Sequence, residues 1–296
     1  MDGLLIVDKP AGWTSSDVVA FVRGRSRVKR VGHTGTLDPA ATGVLPLCMG
    51  QATRLAEYLS DADKTYVADI VLGVETDTYD ADGEVVAIAD ASQVRLEAIE
   101  AVLPRFEGDF DQVPPIYSAI KRKGVPLYKL ARAGETVELP VRRVRVEALR
   151  VLSYDAPHLR LEIDCAKGFY VRSLAHDIGA ALGVGGSLTG LVRSRVGSFG
   201  IDEAVDMDTL KLELEDGSWP RRLWAPDEVL NHWQALILGA ENERLLRTGR
   251  PITVTEMQPA DGRGLGRAYG LDGSFLAVVR REGAGAWKAE KVLKPG

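Results

Sequence analysis

Cysteine is scarce in this chain: Cys48 and Cys165 are the only two in 296 residues. A disulfide-stapled secreted fold is therefore excluded. Each thiol sits in an apolar context and reads as a small buried hydrophobe in a reducing cytoplasm. The four histidines are too dispersed to build a ligand-spaced metal site with the cysteines. No apolar run approaches the roughly 18 residues that mark a membrane-spanning helix. Met1-Asp2-Gly3 lacks a basic segment followed by a long apolar stretch, so no secretory signal is expected. There is no G-x-x-x-x-G-K-[ST] phosphate loop. Gly185-Gly186-Ser187-Leu188-Thr189-Gly190 misses the nucleophile-elbow pattern by one glycine and reads as a loop. A large excess of one charge is also missing, with 37 basic and 42 acidic residues and a net charge of −5. That excludes a protein coating nucleic acid indiscriminately, but it leaves room for a shaped RNA site. No cofactor and no metal are implied.

What is present suits one large domain and a small one. Leu4 to Val7 predicts a short strand, followed by a helix capped by Ser15-Ser16-Asp17 with Val18, Val19, Phe21 and Val22 inward. Residues 44–49 read as a buried strand, 52–59 as a helix, and 65–72 and 85–88 as strands. Residues 92–103 fit a helix with Val94, Leu96, Ile99 and Val102 as its inner face. A proline-containing loop is expected over 104–128, with a helix over 125–133. A strand pair should run over 143–154 and 158–166 around Asp155-Ala156-Pro157, then a helix over 172–182. Strands and helices mixed without regular βαβ spacing predict an α+β domain, with flanking helices on a largely antiparallel sheet. From about Leu236 short runs at 245–249, 252–254, 264–271 and 274–279 alternate with glycines, which predicts a small β-rich barrel or sandwich. The expected division is 1–232 and 233–296.

One stretch concentrates chemistry: Gly32-His33-Thr34-Gly35-Thr36-Leu37-Asp38-Pro39-Ala40-Ala41-Thr42-Gly43. Its glycines permit close backbone approach. Pro39 fixes its own φ and pushes Asp38 out of the helical region. Asp38 is thus expected on a tight, preset loop of the kind that carries catalytic groups. Taken alone, an aspartate before proline is equally well a cap or turn residue. Basic residues cluster three times, at Arg23, Arg25, Arg27, Lys29 and Arg30, at Lys121, Arg122, Lys123, Lys129 and Arg132, and at Arg142, Arg143 and Arg145. One cluster alone reads as a solvated face, whereas three around one loop favour phosphate binding.

The Asp38 segment closely resembles the catalytic G-H-T-G-x-L-D-P loop of the tRNA pseudouridine-55 synthase family. Companion segments follow in the family's order. Lys9-Pro10-Ala11-Gly12-Trp13-Thr14-Ser15 is similar to K-P-x-G-x-T-S, and Lys64-Thr65-Tyr66 to K-x-Y. Thr76-Asp77-Thr78-Tyr79-Asp80-Ala81-Asp82-Gly83 and Pro114-Pro115-Ile116-Tyr117-Ser118-Ala119-Ile120-Lys121 come next. Gly168-Phe169-Tyr170-Val171-Arg172 is similar to G-x-Y-[IV]-R. The resemblance spans residues 1–200 and is faint beyond. It implies the pseudouridine synthase fold, a C-terminal PUA-like RNA-binding domain, and isomerisation of a uridine in the T-arm loop of tRNA. It makes Asp38 the catalytic aspartate, Tyr66 the active-site tyrosine and Arg172 the active-site arginine.

Such a reaction breaks the N1–C1′ bond, rotates the base and joins C5 to C1′. It needs a carboxylate near the sugar or near C6, as nucleophile or as stabiliser of an oxocarbenium-like carbon; the sequence leaves the choice open. A glycosidase uses two carboxylates with separate roles, whereas this motif offers one. Arg172 is expected to pair with Asp38 and keep it ionised. Tyr66 should stack on the base, its hydroxyl assisting proton removal at C5. His33 should face RNA and hold or replace the flipped nucleotide, with a general-base role less favoured. Lys9, Lys64 and Tyr170 are support candidates, Lys121, Arg122 and Lys123 are phosphate contacts, and His176-Asp177 reads as structural. The rival readings are a tRNA-folding chaperone with modification secondary, and an unrelated hydrolase using Asp38. The expected enzyme is a cytoplasmic monomer acting on tRNA.

Overall fold

The computed structural model describes residues 1–117, 139–254, 264–283 and 285–293, and the backbone of 121–122 and 125–126. Its strands are β1 (Gly3–Lys9), β2 (Val31–His33), β3 (Thr42–Met49), β4 (Lys64–Leu72), β5 (Val74–Thr76), β6 (Val85–Ile88), β7 (Gly108–Gln112), β8 (Lys121–Arg122), β9 (Val125–Pro126), β10 (Arg142–Asp155), β11 (His158–Cys165), β12 (Gly186–Val196), β13 (Phe199–Gly200) and β14 (Val205–Asp206), then β15 (Gln234–Leu238), β16 (Ile252–Thr253), β17 (Leu265–Gly270), β18 (Phe275–Arg281) and β19 (Ala286–Val292). The α-helices are α1 (Ser15–Ser26), α2 (Ala56–Ser60), α3 (Leu96–Val102), α4 (Val171–Leu182), α5 (Met207–Asp216) and α6 (Ala240–Arg247).

The main sheet runs β14-β1-β3-β12-β4-β11-β10-β7, with β2 added beside β3 and β13 beside β12. Within it only the β1–β14 and β12–β3 pairs are parallel. This is the mixed, largely antiparallel α+β sheet expected. Strand β1 shows why its sequence is continuously apolar. Leu5 and Val7 pack under α1 and α5 with Val18, Val22 and Leu210. On the opposite face, Leu4 and Ile6 pack with Val44, Cys48, Ala52 and Phe199. Both faces are covered, so alternation disappears. A second core joins Leu174, Ala175 and Ile178 of α4 and Ile99 of α3 to Ala68, Ile70, Leu161 and Ile163 of the sheet. It fixes α4, and hence Arg172, over β4 and β11.

Four expectations need correction. Residues 186–190, expected within a loop over 185–190, instead open β12, the strand between β3 and β4. Irregularities at Leu188/Gly190 and Arg193/Arg195 break its alternation. The loop expected over 104–128 contains β7, a short polar edge strand paired with β10. The helix expected over 125–133 lies mostly outside the described residues, and 125–126 pair instead with 121–122. The α1 cap is Thr14, whose side chain accepts from the Asp17 amide while Asp17 accepts from the Thr14 amide; Ser15 is buried and has another task. In addition, Leu96 of the expected inner face of α3 is exposed, while Ile99 and Val102 are buried.

The C-terminal sheet, ordered β15-β17-β18-β19-β16, has its own core around Leu236, Leu246, Ala277 and Trp287. Residues 240–247, which include part of the run expected as β structure, form α6 across it. Leu55, Leu230, Trp233, Val278 and Leu293 pack this sheet against the rest of the chain, with Tyr58 edge-on to Trp233 at 4.9 Å.

Gly179 lets α4 touch β12: a Cβ there would lie 2.1 Å from the Gly185 carbonyl carbon. Gly179→Ala should push α4 off the sheet and cost at least about 2 kcal/mol, read as a lower urea midpoint.

Candidate active site

The loop carrying Asp38 spans the connection between β2 and β3 and is tied down from three directions. Ser15 Oγ accepts from the Leu37 amide at 2.9 Å and donates to the Leu37 carbonyl at 3.3 Å. Fully buried Lys9 donates from Nζ to the carbonyls of Pro10, Trp13 and Pro39 at 2.9, 2.6 and 3.2 Å. Arg193, also buried, donates from Nε to the Val44 carbonyl at 2.7 Å and from Nη2 to the Gly35 carbonyl at 3.1 Å. Gly43 stands at a φ of 101°, where a Cβ would lie 2.3 Å from the Arg193 carbonyl oxygen. Only glycine lets β3 and β12 approach this closely.

Arg172, the second residue of α4, reaches Asp38 from the other side of the cavity. Its Nη2 lies 3.1 Å from Asp38 Oδ2, and its Nη1 3.1 Å from Asp80 Oδ2. Nη2 also donates to the Tyr117 carbonyl at 2.9 Å. The guanidinium is nearly buried, whereas 47% of the Asp38 side chain remains accessible. Burial nevertheless pushes the Asp38 carboxyl above its ordinary value; Arg172 pulls it down, and Asp80 and Asp82 push it up. Arg172 thus pairs with Asp38 and favours its ionised form, within a balance in which desolvation is the largest effect. Asp80 itself is fully engaged. Its Oδ1 accepts from Thr78 Oγ1 at 2.5 Å and from the Asp82 amide at 3.1 Å.

The cavity, of about 350 Å³, is walled by Asp38, Tyr66, Tyr170, Arg172, Leu191 and Arg193, among others. Tyr66 lies on β4 and, like Arg193, lines the cavity. Burial pushes this phenol up, with Arg193 opposing. Tyr170 caps α4; its amide donates to Gln112 Oε1 at 2.9 Å and its carbonyl accepts from Gln112 Nε2 at 3.1 Å. Lys64 is buried beside the cavity. Its ammonium donates to the Ser60 and Ala62 carbonyls at 2.9 and 2.5 Å. Burial, aided by Arg193, pulls it down to about 8.

The structure thus brings Asp38, Tyr66, Tyr170 and Arg172 together, with Lys64 behind them. Lys9 and Lys64 offer little surface to RNA and instead hold backbone. His33 stands on β2, off the cavity wall. Burial and Arg193 pull its imidazole below its ordinary value, and its Nδ1 is buried without a hydrogen-bond partner among the described residues. Lys121 and Arg122 are described in backbone alone, and Lys123 lies outside the described residues. Of the other basic clusters, Arg143 pairs with Asp111, and Arg145 with Asp109 and Glu147. Arg23, Arg25, Arg27, Lys29 and Arg30 are exposed and form no ion pair among the described residues.

Sequence reasoning missed Asp80 and Arg193 as site residues. Asp80 lay within a matched segment, but its partner is 92 positions away. Arg193 gave no signal, because a lone arginine in a strand reads as solvated.

Residues 23–171 match the TruB family pseudouridylate synthase (N-terminal domain), and residues 172–230 the tRNA pseudouridylate synthase B C-terminal domain. A tRNA pseudouridine synthase B of Geobacter sulfurreducens is 42% identical over 98% of this chain and 96% of its own length. One from Dehalococcoides mccartyi is 42% identical over 99% and 97%. Among solved structures, a Cbf5-Nop10-Gar1 complex contains a chain aligned with a TM-score of 0.77 at 27% identity, covering 99% of this chain and 85% of that one.

Lys64 generates a stability test. Its folded value of about 8 lies below the ordinary 10.5, so the buried charge is a burden below about pH 8. That burden lifts as pH rises toward 10.5, because the unfolded chain then binds more protons than the folded one. The urea midpoint of the parent, relative to Lys64→Met, should therefore rise between pH 8 and 10.5. A pH-independent difference would contradict the assignment.

Proposed function

The chain belongs to the TruB family of pseudouridylate synthases, and from that premise we propose that it isomerises uridine to pseudouridine in the T-arm loop of tRNA. The observation carrying this reading is Asp38 held by a nearly buried Arg172 in a cavity with Tyr66 on its wall.

The chemistry follows from the residues. A uridine leaves its stack and enters the cavity, where Tyr66 offers its ring to the base. Asp38, partly accessible, attacks or stabilises the carbon that becomes electron-poor, and Arg172 fixes its direction. The N1–C1′ bond breaks, C5 joins C1′, and the proton leaving C5 is balanced by one gained at N1, so no water is consumed. The hydrolase rival loses ground here: Asp80, the second carboxylate, is occupied by Arg172, Thr78 and the Asp82 amide and is not free to activate water. Nothing in the site favours a chaperone from which modification has been lost.

The exposed Arg23–Arg30 edge supports an RNA-phosphate role, and Lys121, Arg122 and Lys123 join it in this reading. Residues 1–232 form the catalytic domain and 233–296 a PUA-like RNA-binding module, a division supported by the separate core around Trp287. The enzyme works as a monomer, in the cytoplasm with its substrate. Among the described residues no helix is long and apolar enough to cross a membrane.

An unmodified T-arm stem-loop incubated with the protein should yield pseudouridine on nucleoside analysis; bound but unmodified RNA would overturn the reading. Asp38→Asn should lower single-turnover conversion by at least about a thousandfold while filter binding stays within about threefold. Residual turnover within tenfold of the parent would remove Asp38 from its role.

His33 sits below its ordinary value and is neutral at physiological pH, which suits a residue that fills space left by a flipped nucleotide. His33→Ala should weaken productive binding more than the chemical step. Its defect should shrink on a loop whose tertiary stacking has been removed by substitution. An equal defect on both RNAs, with loss of a pH limb near neutrality, would make His33 an acid–base group instead.

A further inference from the structure

Behind Asp80 lies a cluster that the reaction itself does not use. Tyr79, the residue before Asp80, has a φ of 63°, an uncommon conformation for a non-glycine residue. Its ring stacks on the His176 imidazole, with centroids 4.1 Å apart and planes 29° from parallel. His176 stands one helical turn after Arg172 on α4 and carries a carboxylate on each ring nitrogen. Nε2 is 2.9 Å from Glu75 Oε1 of β5, and Nδ1 3.2 Å from Asp177 Oδ1 of its own helix. Two acceptors on one imidazole require both nitrogens to donate, which only the imidazolium does. The loop is also held by backbone bonds, from the Leu188 amide to the Tyr79 carbonyl at 3.0 Å and from the Ala81 amide to the Leu188 carbonyl at 2.9 Å. These bonds fix the loop against β12, whereas the Tyr79–His176 stack and the Asp80–Arg172 pair join it to α4.

We propose that protonated His176 is a positioning residue for catalysis, clamping Tyr79 and β5 to α4 so that Asp80 holds Arg172 in the orientation that aims Asp38. The inference rests on the pseudouridine synthase reading above. His176 is faced by Glu75 from β5, by Tyr79 from the loop and by Asp177 from its own helix, with Arg172 one turn back and Asp80 beyond Tyr79. The hydrogen bond to Asp177 is the largest effect raising the imidazole above its ordinary value; burial opposes it and Glu75 adds to it. The sign follows. The imidazolium clamp is complete below this raised value and is lost as pH rises through it, when one nitrogen stops donating and both carboxylates lose their counter-charge. Loosening a catalytic group by a fraction of an ångström is enough to slow chemistry.

The test is the single-turnover rate of pseudouridine formation against pH for the parent, His176→Gln and His176→Arg, with circular-dichroism melts confirming that each folds. The parent should show an alkaline fall in rate. His176→Gln keeps polarity without charge and should lack that limb, running at a low plateau about tenfold below the parent's maximum. His176→Arg carries a permanent cation that stacks on aromatic faces and reaches two carboxylates. It should also lack the limb, but run at the high plateau. A parent without the limb, a limb persisting in both variants, or a His176→Gln rate equal to the parent's at every pH would overturn the proposal. A parent that makes no pseudouridine at any pH would count against the functional reading and not against His176.

Discussion

Four cations are buried around one reactive carboxylate, and the geometry of the site depends on how each is held. Lys9, Lys64, Arg172 and Arg193 are all under 9% exposed. Removing such charges from water costs several kcal/mol per ion unless hydrogen bonds replace the lost hydration. Among the described residues, Arg172 alone of the four pairs with carboxylates. The other three are held by backbone carbonyls, those of Pro10, Trp13 and Pro39 for Lys9, of Ser60 and Ala62 for Lys64, and of Val44 and Gly35 for Arg193. A cation that must recruit carbonyls fixes the chain segments that carry them. The Asp38 loop is thus located in part by Lys9 and Arg193, which hold its Pro39 and Gly35 carbonyls.

The same arrangement reconciles an acidic protein with a polyanionic substrate. The net charge of −5 describes the whole surface, whereas an RNA approaching the cavity meets the local field. Among the described residues, three of the four cations have no carboxylate within ion-pair distance. Burial, aided by Arg193, pulls Lys64 down to about 8, and the same two causes lower His33. Asp38 shows the opposing limit. Even with Arg172 in contact, withdrawal from water raises it, which keeps the carboxylate reactive and not merely neutralised.

What the sequence made legible was whatever depends on local pattern. Strand β1 was readable because both its faces are covered, and β4 because Thr65 to Leu72 alternates. The Asp38 loop was readable because glycine and proline constrain a backbone wherever they stand. Strand β12 was not. Gly186 serves a close approach to Gly179, and two irregularities erase the period that marks a strand. Strand β7 was hidden by its polar composition, since a short edge strand has one ladder to satisfy and little to bury. Asp80 stood within a matched segment, yet its use depends on an arginine 92 residues away. Arg193 was the least legible, because its burial follows from β12 lying at the centre of the sheet, which the sequence did not reveal.

That position also explains why arginine suits residues 172 and 193 and lysine suits 9 and 64. Arg172 must hold Asp38 and Asp80 in fixed relative directions, and Arg193 must reach Val44 and Gly35 from one side chain. A planar fork with five donors does this in one geometry. Lys9 and Lys64 gather carbonyls converging on a point, which a compact ammonium satisfies from a flexible stem. The division follows the chemistry. Where two groups must be held in fixed directions, the cation is rigid; where carbonyls are only being gathered, it is not. Arg193 ties the Asp38 loop to the strand that follows it, because one guanidinium holds both the Gly35 carbonyl and the Val44 carbonyl. The loop and β3 are therefore held together through a buried side chain of β12.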